Sequence, residues 1–115
     1  MMLADKLEEA KRWAEKVVEV LRDQVLEISL FGSVARSTET EGSDVDLLII
    51  VSGDRKKALD MIFDKLGDTF LELAAKGVIV ENIVENVEEW NKMEKKGFSF
   101  ARNVKDDRIV LYRRS

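Results

Sequence analysis

The chain has 115 residues, enough for one domain that buries roughly 60–70% of its unfolded surface, and it contains no Cys, His or Pro. The missing Cys and His exclude disulfides, thiolate nucleophiles, zinc centres and imidazole acid–base chemistry, leaving oxygen donors for any metal and Asp, Glu, Lys or Tyr for any proton transfer. The net charge of −4 is unevenly spread: residues 95–115 hold 7 of the 19 bases and 2 of the 23 acids, too slight a basic surplus to imply duplex nucleic acid.

No segment approaches the ~20 apolar residues of a membrane-spanning helix. The longest apolar run, Val45 to Val51, is interrupted by Asp46. The opening MMLADKLEEAKRW is charged and helical, so no signal peptide is expected, and the reading is of a cytoplasmic protein with one domain over 1–115.

Taken in order, Leu3, Leu7, Ala10, Ala14, Val17 and Leu21 step by three and four and predict an amphipathic helix over 3–23. Residues 25–31 alternate as a strand that stops at Gly32. A short helical turn follows over 33–37, then a loop, TETEGS. Asp44 to Val51 is apolar on both faces after Asp46, the pattern of a central strand. A second long helix covers 54–76 and is capped by Gly77, with a strand over 78–84 beyond it. Asn86 followed by Glu89 is a capping box that opens a helix to Lys96, closed by Gly97. Ser99 is placed as the cap of a last short helix, before a final strand over 108–112. This order describes one α/β or α+β layered domain. Trp13 and Trp90 fall at core spacing, and Glu85, Glu88, Glu89 and Glu94 at the spacing of a solvated face. Lys95, Lys96, Arg102, Lys105, Arg108, Arg113 and Arg114 fit an RNA, an acidic partner or a charged surface equally.

The chemistry concentrates in LFGSVAR and SDVDLLI. A strand running into Gly32-Ser33 and a helix start lets backbone N–H groups and a hydroxyl approach an anion closely, a phosphate cradle without the Lys of a P-loop. Asp44 and Asp46, two apart at the start of a strand, are expected on one face about 6–7 Å apart at the backbone. Two carboxylates so placed can converge on a pair of Mg²⁺ ions ~3.5–4 Å apart, the spacing used for phosphoryl or nucleotidyl transfer.

Gly32-Ser33, ten residues, then Asp44-Val45-Asp46 resembles the signature of the DNA polymerase β-like nucleotidyltransferase superfamily. The surrounding text, with a tail of Gly97-Phe98, Asn103-Val104 and Ile109-Val110-Leu111-Tyr112, looks like its stand-alone minimal nucleotidyltransferases. That resemblance implies a small mixed β-sheet with helices packed against it. It implies that Gly32 and Ser33 hold the phosphates of ATP or another nucleoside triphosphate, that Arg36 touches a phosphate, and that Asp44 and Asp46 bind two Mg²⁺ (or Mn²⁺) ions. Arg36 is equally readable as a surface residue pairing with Glu39 or Glu41. A third carboxylate is expected on a neighbouring strand, with Glu81 chosen and Glu85 as the fallback. The implied reaction is transfer of NMP, AMP above all, to a hydroxyl acceptor.

At this length no residues are left for an acceptor-recognition domain, so the acceptor is expected from a partner or from self-assembly. The resemblance points to a HEPN-domain protein, as toxin to this antitoxin, with a tyrosine as acceptor. The rival reading is a module that neutralises a partner by docking without transfer. Transfer to RNA ends ranks third.

Overall fold

The computed structural model describes residues 3–38, 40 and 42–115, with side chains from Lys6 onward. The amphipathic N-terminal segment forms α1 (Leu3–Leu21) and turns Ala10, Trp13, Ala14, Val17 and Leu21 into the core. Its last expected residues tighten into a 3-10 turn, Arg22–Gln24. The chain continues as β1 (Val25–Phe31), the one-turn α2 (Gly32–Ala35), β2 (Val45–Val51) and α3 (Arg55–Ala75), then β3 (Val80–Asn86), α4 (Val87–Lys96), α5 (Ser99–Asp107) and β4 (Ile109–Arg113).

The four strands form a mixed sheet in the order β3-β2-β1-β4. β1 is antiparallel to β2 and β4, and β2 is parallel to β3. A parallel neighbour requires a crossover, and α3 supplies it. Strand β2 is central and apolar on both faces, as its run of residues predicts, because each face has its own helical cover. Leu47, Ile49 and Val51 join the larger core with Trp13, Val17, Ile62 and Leu66 from α1 and α3. Leu48 and Ile50 join a smaller core with Trp90, Ala101 and Val104 from α4 and α5.

Local chemistry explains the boundaries that differ from expectation. After α3 the amides of Gly77 and Val78 bond back to Ala74 and Leu73, so these residues close the helix and the strand begins at Val80 rather than Val78. Asn86 is both the last residue of β3 and the N-cap of α4, its side chain accepting from the amides of Glu88 and Glu89. Gly97 ends α4 with φ +71, the left-handed conformation that glycine tolerates. Ser99 is not a cap: Phe98 occupies the N-cap position without a side-chain hydrogen bond, and Ser99 is the first helical residue.

The C-terminal bases are largely committed to intramolecular pairs. Arg108 and Arg113 both reach Glu27, at 3.0 and 2.8 Å, Arg114 pairs with Asp23, and Lys105 with Glu94. These pairs fasten α5 to α4 and the β4 segment to β1 and the turn before it. No described helix is long and apolar enough to cross a membrane.

Asn86 links three segments, because its amide also donates to the carbonyl of Gly53 at 2.8 Å. Replacing it by Ala removes the α4 cap and this tie, and is expected to lower unfolding stability by about 1–2 kcal/mol. Urea denaturation of the two proteins measures the difference.

Candidate active site

The parallel register places Asp46 of β2 opposite Glu81 of β3. Directly paired residues point to the same face, so the two carboxyls meet, and their side chains share a hydrogen bond. Two carboxylates can share one only if a proton lies between them. The Asp46 pKa is accordingly raised from 3.8 to about 6. Burial is the first cause, then the Glu81 hydrogen bond, then repulsion from Glu81 and Asp44, while the Arg36 charge pulls it back. The burial comes from the smaller core. Phe31 is Asp46's partner on β1, and its ring packs edge-on against Phe100 at 5.8 Å, which in turn meets Trp90.

Gly32 follows Phe31 and stands against the same carboxylate. Its φ is +78, and a Cβ added there would lie 2.3 Å from Oδ2 of Asp46. The position thus requires glycine twice, for its backbone conformation and for the space beside Asp46. The chain then turns once through α2, where Ser33 is half-buried and Arg36 is exposed. Arg36 pairs with Asp107 of α5 at 2.6 Å, and this pair joins the end of α2 to α5. The alternative partners read from the sequence, Glu39 and Glu41, lie outside the described residues.

Asp44 departs from the simple alternation. The ladder opens at Val45, whose amide donates to the carbonyl of Ile79, so Asp44 is an exposed residue just before the strand rather than its first member. It remains close enough for its charge to act on Asp46. Glu85 is elsewhere: it pairs in register with Ile50 and lies 4.0 Å from Arg55, four residues and about 13 Å along β3 from Glu81. Of the two acids weighed on this strand, Glu81 is the one brought to Asp46.

Among the described residues no group of three or more acids is arranged to hold an ion. The acids gather instead as a touching pair, with Asp44 to one side. That donor set fits a hard divalent cation, since the facing carboxylates of Asp46 and Glu81 repel one another and a cation between them would relieve that repulsion.

Comparison with known proteins decides the family. Residues 11–111 match the nucleotidyltransferase domain family. The chain belongs to that family. It is similar to the "Putative protein adenylyltransferase" of Methanocaldococcus jannaschii, 41% identical over 92 residues that cover 79% of this chain and 82% of the relative. Its fold resembles that in a crystal structure of a toxin-antitoxin with AMP-PNP, with a TM-score of 0.57 at 14% identity over 91% of this chain and 74% of that one. A mutant of the toxin-antitoxin MntA-HpeT matches with the same TM-score and coverage at 12% identity. The family membership makes this nucleotidyltransferase-domain protein a transferase.

The sequence reading overlooked Lys6, a buried lysine of α1 that reaches the connection before Asp44. A signal was present: Lys6 stands four residues before Ala10 and seven before Trp13, on the apolar stripe of the helix.

Because the folded state raises the Asp46 pKa, that carboxyl stabilises the metal-free fold below about pH 4 relative to higher pH, and the stability is lost as pH rises through about 6. Asp46→Asn removes the charge. In chelator it is expected to melt above the parent protein at pH 8 and at nearly the same temperature at pH 4. An offset independent of pH would contradict the raised pKa.

Proposed function

We propose that this nucleotidyltransferase moves AMP from ATP to a hydroxyl on a partner protein. The observation that carries the reading is the Asp46–Glu81 pair set against the glycine that leaves room for it. The 41% identical relative described as a protein adenylyltransferase supports AMP as the group and protein as the acceptor. The toxin-antitoxin folds support a partner, for which a HEPN-domain protein presenting a tyrosine is the reading. Such a protein would work in the cytoplasm, with ATP at hand.

Gly32 and Ser33 would receive the triphosphate, close to backbone N–H groups and the Ser33 hydroxyl, while Arg36 lends positive charge at the end of α2. Asp44, Asp46 and Glu81 would hold Mg²⁺ or Mn²⁺, two ions in the full site. When bound, these ions neutralise charge on the triphosphate and on the leaving pyrophosphate. In the reaction the acceptor oxygen bonds to the α-phosphorus, the bond to pyrophosphate breaks, and Glu81 accepts the hydroxyl proton. Most of the rate gain is positioning and charge neutralisation, which a rigid sheet end suits.

Labelled ATP with Mg²⁺ and the product of the neighbouring gene is expected to label that product. Asp46→Ala is expected to reduce labelling by about 10³-fold or more, as losing a group that acts on transition-state charge does. Gly32→Ala is expected to do nearly the same, through its clash with Asp46. A partner that binds but stays unlabelled by the parent protein would establish docking without transfer.

A further inference from the structure

Asp46 and Glu81 are placed by the sheet ladder, whereas Asp44 lies one residue outside it and needs another holder. Lys6 supplies one. Its side chain is 2% exposed, and its ammonium donates to the carbonyl of Ser43, the residue before Asp44, at 2.8 Å. It donates equally to the carbonyl of Thr40 at 2.8 Å. The same short turn is drawn together by the Ser43 amide on the Thr40 carbonyl at 3.0 Å and the Thr40 amide on the Ser43 hydroxyl at 2.9 Å. On the far side, the Val45 amide is fixed to Ile79 at 2.8 Å. Asp44 therefore spans two pinned points, the Ser43 carbonyl held by α1 and the Val45 amide held by Ile79, just before β3.

Burying an ammonium is expensive, and a core position on α1 is otherwise filled more cheaply by Leu or Met. Two of the ammonium's bonds go to carbonyls of one connection, and that connection ends at Asp44. The geometry points to Lys6 as a positioning residue of the transfer site, setting Asp44 toward the cation and triphosphate through the backbone of Ser43. The inference rests on the proposed function for its consequence, and on α1 and the turn alone for its geometry.

Two measurements test it. In metal-free protein, hydrogen exchange at the Ser43 and Thr40 amides reads the clamp without any ligand. Lys6→Met is expected to speed both by about tenfold or more while Leu47, inside the ladder, keeps its protection. Unchanged exchange at Thr40 and Ser43 overturns the inference whatever the metal does. Mn²⁺ binding, followed by its electron paramagnetic resonance signal with ATP analogue present, then reads the link to Asp44. Lys6→Met is expected to weaken Mn²⁺ by about 10- to 100-fold in the parent protein, and by less than about twofold in an Asp44→Ala background. Equal losses in both backgrounds would make Lys6 a structural residue only and overturn its positioning role. Lys6→Arg keeps a cation on α1 and enters the same cycle should Lys6→Met not fold. A parent protein that binds neither Mn²⁺ nor the analogue contradicts the proposed function, whereas binding that ignores Lys6 contradicts this inference alone.

Discussion

Seven residues of β2 run parallel to seven of β3, from Val45 opposite Val80 to Val51 opposite Asn86, and the site depends on that register. A slip of one residue would turn Glu81 to the other face of the sheet and carry Val80 or Asn82 to Asp46. Burial on both sides opposes the slip. Val80 and Val84 belong to the core under α1 and α3, while Ile83 packs with Leu48 and Trp90 on the other face. Asn82 adds a polar lock, accepting from the indole N–H of Trp13 at 2.8 Å. The hydrophobic effect thus fixes the alignment of two acids that by themselves repel.

The same arrangement places a destabilising pair at one end of the sheet. Asp46 is held half-buried beside Phe31 and against Glu81, and its carboxyl retains a proton well above the usual carboxylate range. Natural folds carry such local conflict where a ligand resolves it. Around it the fold is well tied, with Glu27 taking both Arg108 and Arg113 and Asn86 joining the β2–α3 connection to α4. The strained pair is therefore set in a stiff frame, the condition under which electrostatic preorganisation is effective.

Much of this was legible in the residues. The two-period and 3.6-period patterns gave every strand and α-helix in order, because most of them have a clear apolar face or a capping signal such as Asn86 or Gly97. The spacing from Gly32-Ser33 to Asp44 and Asp46 marked the candidate site, because a strand buried on both faces has little reason to begin with two aspartates. What local pattern does not contain is the partner across the sheet. Whether Glu81 or Glu85 meets Asp46 depends on β3 register, set by contacts with β2 and α1 far away in the chain. The tail bases likewise looked free until Glu27 and Asp23 were brought to them by folding. Lys6 and the exact start of β2 belong to the same class, since both are decided by hydrogen bonds between α1, the connection before Asp44 and Ile79.

The proposed function requires that the register-matched acids of β2 and β3 form the cation end of a triphosphate site. A crystal structure with Mn²⁺ and a non-hydrolysable ATP analogue tests it most directly, since the anomalous signal of manganese locates the ion without reference to any expected ligand. Manganese is expected between Asp46 and Glu81, with the triphosphate against Gly32 and Ser33. Manganese bound elsewhere, with Asp46 and Glu81 still hydrogen-bonded to each other, would contradict it.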